Sequence, residues 1–171
     1  MEKRILILGY GNIDRQDDGV AWHIIKQLMK DSGPSIEDET VDQIHPTGNN
    51  PQFLFVLQLT PELAETVANY DCVCFIDAHT GNIPTDIQMV PLTPHYQASA
   101  FTHHLTPATL IELSSSLYGK QPLCMLASVR GYQFGFANQL SEKTIILATQ
   151  AAGLIQNWVN SLKTGDNLTT L

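Results

Sequence analysis

Basic residues are scarce in this chain. Nine Lys and Arg stand against seventeen Asp and Glu, a formal net charge of −8. A nucleic-acid partner needs a basic patch to neutralise phosphates, so that class is excluded. Long hydrophobic runs are missing as well. No segment approaches the ~18 apolar residues of a membrane span, and the run after Met1-Glu2-Lys3-Arg4 is too short for a signal-peptide core. A cytoplasmic protein with no membrane partner is expected. Only three cysteines occur, Cys72, Cys74 and Cys124, each inside an apolar strand-like run and with no Cys-x-x-Cys among them. In such runs a thiol serves as a small hydrophobe rather than as metal or redox chemistry. The Gly-x-Ser-x-Gly elbow and the His-Glu-x-x-His helix are also absent, so nothing supports a side-chain nucleophile or a zinc-protease helix.

What is present fits one compact domain. With 171 residues, 43% apolar and 15% charged, the chain is long enough to bury a full core. A domain over residues 1–162 and a polar, loose tail over 163–171 are expected. Strand-like and helix-like stretches alternate. Arg4–Leu8 is an apolar strand, and Val20, Ile24 and Leu28 place a helix over 18–30 that Gly33-Pro34 ends. Val41–Ile44 reads as an edge strand or hairpin arm. Phe53–Leu57 is a buried strand, followed by Thr60-Pro61 as cap and first turn of a short helix reaching Asn69. Cys72–Ile76 is the next strand, and Ile87–Leu92 a weaker one. Thr106-Pro107 caps a helix that Gly119 stops, and Leu123–Val129 is the last strand. Ser141 opens a long final helix with Ile145, Ala148, Ala152, Ile155, Val159 and Leu162 on its apolar face. The fold class is α/β: a three-layer sandwich with a mostly parallel twisted sheet and helices on both faces.

Two glycines and two acids open the chain's chemistry. Gly9-Tyr10-Gly11-Asn12 follows the first strand and reaches Asp17-Asp18-Gly19 a few residues later. Dinucleotide binders begin with a similar turn but need a third glycine, and here Asp14 or Arg15 stands in that place. Carboxylates at a helix start repel phosphate and attract cations. At least one of Asp17 and Asp18 is expected to cap that helix, at about 0.5 to 2 kcal/mol, leaving the other free.

In an open α/β sheet, functional groups collect at the carboxyl ends of the strands. Asp17 or Asp18 after the first strand, Asp77 at the end of a central one and His103 before a helix start are therefore candidate ligands from three connections. One imidazole among carboxylates suits zinc, nickel or iron better than calcium. His79, His95 and His104, and also His23 and His45, are expected to be loop or surface residues rather than ligands.

These residues resemble a family. Gly9-x-Gly11-Asn12 with Asp17-Asp18-Gly19, then Ile76-Asp77-Ala78, then Thr102-His103-His104-Leu105 are similar, in this order, to motifs of the hydrogenase maturation endopeptidases. Gln58-Leu59-Thr60-Pro61-Glu62-Leu63-Ala64 resembles one branch of that family. The chain departs from the pattern at Asp14, where Leu is usual, at Ala21, where Gly is common, and in a longer 34–52 segment.

The resemblance implies an aspartate- and metal-dependent endopeptidase. It would remove the C-terminal extension of the nickel-iron hydrogenase large-subunit precursor after nickel insertion, acting as a monomer. By position Asp18, Asp77 and His103 would be both metal ligands and catalytic residues, with nickel supplied by the precursor; a zinc ion of the enzyme's own is the alternative. Two other functions compete: a non-catalytic metal-sensing chaperone for a metalloenzyme precursor, and a small-molecule metallohydrolase with a resident ion.

Overall fold

A computed structural model describes residues 2–31, 45–94 and 105–165. Five strands form one sheet: β1 (Ile5–Tyr10), β2 (Gln52–Val56), β3 (Cys72–His79), β4 (Ile87–Leu92) and β5 (Leu123–Arg130). Their order is β2-β1-β3-β5-β4, with every pair parallel except the antiparallel β4·β5 edge. The central strands are apolar on both sides because both faces are covered. Ile5, Ile7, Cys72, Cys74 and Ile76 pack on one face with α1 (Val20–Asp31) and α4 (Glu142–Thr164). Leu6, Leu8, Val73 and Phe75 pack on the other with α2 (Leu63–Ala68) and α3 (Pro107–Tyr118). Each such Ile, Leu or Phe contributes about 1.5 to 3 kcal/mol by leaving water. This is the expected three-layer sandwich.

Gly9 sets how closely the first layer approaches the sheet. A Cβ there would lie 2.9 Å from both Ala21 Cβ and Ile25 Cδ1, so glycine lets α1 settle directly onto β1. The caps of α3 form as expected: Thr106 Oγ1 accepts from the Thr109 amide at 3.2 Å, and Gly119 ends the helix in the left-handed conformation at φ 64°.

Several expectations fail for local reasons. Thr60 does not cap α2. Its carbonyl accepts from the Leu63 amide and the Pro61 carbonyl from Ala64, a turn that delays the helix to Leu63. Ile145 is 51% exposed; the buried stripe of α4 instead runs through Thr144, Ala148, Ala151, Ala152, Ile155, Trp158 and Val159. The helix also continues through Lys163 and Thr164, and Lys163 Nζ donates to the Asn50 carbonyl at 2.7 Å. Val41–Ile44, His95, His103 and His104 lie outside the described residues.

Candidate functional site

The sheet changes direction at β1. From β1 the chain crosses to β2 on one side, and from β2 it returns past β1 to β3 on the other. Such a switch point leaves a crevice at the strands' carboxyl ends. Here it is a cleft of about 320 Å³ lined by Tyr10, Gly11, Asn12, Arg15, Asp18, Leu57, Gln58, Leu59, Asp77 and Leu105. Parallel pairing brings Gly9 level with Ile76, so Tyr10 and Asp77 are the next residues out on neighbouring strands.

Asp77 is a strongly perturbed acid. Burial pushes its carboxyl up, interactions with the Tyr10 hydroxyl and the Ala78 amide pull it down, and the nearby Asp18 charge pushes it up again, leaving it at about 6. A carboxylate poised there exchanges its proton near neutral pH, as a general base requires. Burial, then the Asp77 charge, raises the Tyr10 phenol well above its ordinary value. Tyr10 therefore stays protonated as a donor to Asp77.

Asp18 is held by the turn it faces. Its Oδ2 accepts from the Asn12 amide at 2.9 Å. Gly11 permits this closure: its φ is +142°, and a Cβ there would overlap the Asp18 carbonyl oxygen. The second glycine of the opening motif thus brings the backbone onto Asp18, not onto a phosphate.

Asp17 points the other way and is 0% exposed. Its Oδ2 accepts from the amides of Tyr132 and Gln133 at 2.8 and 2.9 Å, and from the hydroxyls of Ser141 and Thr144 at 2.7 and 2.8 Å. Its Oδ1 accepts from the Ser141 amide at 2.7 Å. Burial alone raises its carboxyl, but the bonds from Ser141, Tyr132 and Gln133 outweigh it and hold the group below the ordinary value. Neither acid caps its own helix, contrary to expectation. The short 3-10 turn Gln16–Gly19 precedes α1, and the Arg15 side chain at its start makes no capping bond. Asp17 instead serves the start of α4, where Ser141 is the N-cap.

No protein-family model matches the chain, nor does any curated protein sequence. Solved structures do match. The hydrogenase maturation endopeptidase HybD of E. coli superimposes with a TM-score of 0.67 at 17% identity, covering 92% of this chain and 93% of that one. The [NiFe] hydrogenase maturation protease HycI of Thermococcus kodakarensis gives 0.64 at 19% identity, over 93% and 94%. A hydrogenase 2 maturation peptidase from a Thaumarchaeota archaeon gives 0.62 at 20% identity, over 92% and 99%. The fold is that of the hydrogenase maturation proteases.

Within this protease fold the structure brings Asp18 and Asp77 into one cleft. Among the described residues no third His, Cys, Asp or Glu completes a metal-binding group with them. His103 lies outside the described residues, while Leu105 lines the cleft. His79 is not a loop or surface residue as expected. It ends β3 at 6% exposure, with Nδ1 accepting from the Gly81 amide at 3.2 Å and Nε2 without a partner among the described residues. Strand alternation puts it on the same face as Asp77. All three cysteines are buried and unbridged, as expected of core fillers.

Sequence reasoning missed Tyr10 and Arg15, both of which line the cleft. Tyr10 had a usable signal: it is the one large residue between the two glycines, and alternation sends it to the face of Leu6 and Leu8. A larger hollow, about 560 Å³, lies around Tyr132, Ser141 and Lys143 at the start of α4. It includes neither Asp18 nor Asp77, so size does not mark the chemistry here.

Proposed function

We propose that the chain is a hydrogenase maturation endopeptidase that removes the C-terminal extension of a nickel-iron hydrogenase large-subunit precursor once nickel is in place. The observation that supports this most is the meeting of Asp18 and Asp77, from two different connections, in one cleft at the switch point of a sheet with the maturation-protease fold. Nickel arrives with the substrate. Asp18, Asp77 and His103 grip it and so position the precursor's tail, a use of binding energy for orientation. A water then attacks the scissile carbonyl carbon, giving up a proton as the C–N bond breaks and the leaving amine gains one. A carboxylate oxygen of Asp77 or Asp18 that nickel leaves free takes that proton. The enzyme acts as a cytoplasmic monomer and needs no side-chain nucleophile.

Purified protein mixed with nickel-loaded precursor, followed by intact mass, tests this reading. Loss of the C-terminal extension is expected, while nickel-free precursor stays whole even with zinc supplied. Cutting of nickel-free precursor overturns the nickel check. Binding without cutting in both cases identifies a metal-sensing chaperone. Stoichiometric zinc in the purified protein, with cleavage of small amides, identifies a metallohydrolase.

A further inference from the structure

The loop between β5 and α4 carries Phe136 with 96% of its surface exposed. Single exposed apolar residues are ordinary. Phe136 differs in how firmly its backbone is fastened. On one side the Gln16 amide donates to the Ala137 carbonyl at 2.7 Å, and the Ala137 amide to the Asp14 carbonyl at 3.1 Å. On the other, the Gly135 amide donates to Gln16 Oε1 at 2.7 Å and the Arg15 guanidinium to the Phe134 carbonyl at 3.4 Å. A ring on a backbone held at both flanks loses little freedom when a partner covers it, which is what makes rigid aromatics effective interface anchors.

The segment that fastens Phe136 also builds the carboxylate cleft, since Arg15 both binds Phe134 and lines the cleft wall. From another connection, Leu57 lines the same cleft and is 58% exposed. The cleft's volume of about 320 Å³ is at the small end for a ligand site and accommodates only a short stretch of peptide. Choice of one protein among many must then come from surface outside it.

We infer that Phe136 is a docking anchor for the folded body of the protein substrate, entering an apolar pocket of that partner while the partner's terminal segment lies in the cleft. The inference rests on the processing role proposed above and adds where the substrate's body sits. The occupant is the nickel-loaded precursor, not a second copy of this chain.

Steady-state processing of nickel-loaded precursor by wild type and Phe136→Ala decides it, with calorimetric binding of the same precursor as a second readout. The expected result is a KM and a Kd raised about ten- to thirtyfold, a kcat within about twofold of wild type, and an unchanged thermal midpoint. Phe136→Trp retains tight binding. Equal KM and Kd for wild type and Phe136→Ala overturn the inference, as does a loss confined to kcat. A dimer of wild type that Phe136→Ala dissociates, with precursor affinity unchanged, assigns the ring to self-association and also overturns it. If wild type binds precursor through Phe136 but never cuts, the endopeptidase reading fails and docking stands; if it binds no precursor, both fail.

Discussion

Asp17 holds Ser141 by two hydrogen bonds of 2.7 Å, one from its amide and one from its hydroxyl, across 124 residues of sequence. This pair joins the loop after β1 to the start of α4. Together with Tyr132, Gln133 and Thr144 it makes Asp17 a fastening inside the fold and leaves Asp18 to face the cleft.

Asp17→Ala is therefore expected to destabilise by at least about 3 kcal/mol, more than a surface cap, because several buried donors lose a charged acceptor. The carboxyl is held below its ordinary value, so its stabilisation is present above about pH 4, the unfolded range, and is lost as pH falls through the lower folded value. Urea unfolding of both proteins at pH 7 and pH 3 checks this. A difference under about 1 kcal/mol at pH 7, where the carboxylate is ionised, contradicts it.

Asp77 has the opposite sign. Its folded carboxyl at about 6 lies above the unfolded value, so it lowers stability as pH rises from about 4 to 6 and the cost stays above that range. About two pKa units correspond to roughly 3 kcal/mol. Asp77→Asn in the metal-free protein should be more stable than wild type by about 2 to 3 kcal/mol at pH 7 and no more stable at pH 3. Unfolding midpoints at the two pH values measure it, and equal stability at pH 7 refutes it.

Processing should stop in Asp18→Ala, Asp77→Ala and His103→Ala while far-UV circular dichroism stays that of wild type. The proposed function gives these three groups to the metal, and Asp18 and Asp77 belong to neither apolar layer, so their removal leaves the core intact. Full precursor processing by the Asp77 variant would remove it from the site.

Gly11→Ala should reduce both stability and processing. It forces a Cβ onto the Asp18 carbonyl at a φ of +142°, a strain of at least about 2 kcal/mol that is relieved only by moving Asp18. Activity at the wild-type level in a protein of wild-type thermal midpoint contradicts this.

Thiol reagents should leave folded protein and its activity untouched. Burial raises the Cys74 thiol well above its ordinary value and pushes Cys124 up to about 12, so little thiolate forms at neutral pH. Mass spectrometry should find Cys74 and Cys124 modified only after unfolding. Loss of processing on alkylation of either in folded protein points to a thiol mechanism.

The sequence by itself determined the layers. Continuous apolar strands such as Ile5–Leu8 and Cys72–Ile76 require cover on both faces, and the apolar residues of α1 and α4 supply it on one face and those of α2 and α3 on the other, so local pattern was enough for the three-layer sandwich. The caps at Thr106 and Ser141 were legible for the same reason: each satisfies amides within one turn of itself. The placement of Asp77 toward the carboxyl end of one strand, and of Asp17-Asp18 in the connection after another, was readable once a parallel sheet was inferred. The family resemblance pointed to Asp18, but what physically decides which of two adjacent carboxylates reaches the cleft lies in the tertiary structure. Asp17 and Asp18 are identical in chemistry and neighbours in sequence, and both fit a helix start. Only the arrival of Tyr132, Gln133, Ser141 and Thr144 from the far end of the chain fills the oxygens of one and leaves the other to the cleft. The same holds for His79, where polarity suggested a surface and the end of a buried strand placed it inside. Burial and long-range hydrogen bonding are properties of neighbours that the local sequence does not contain.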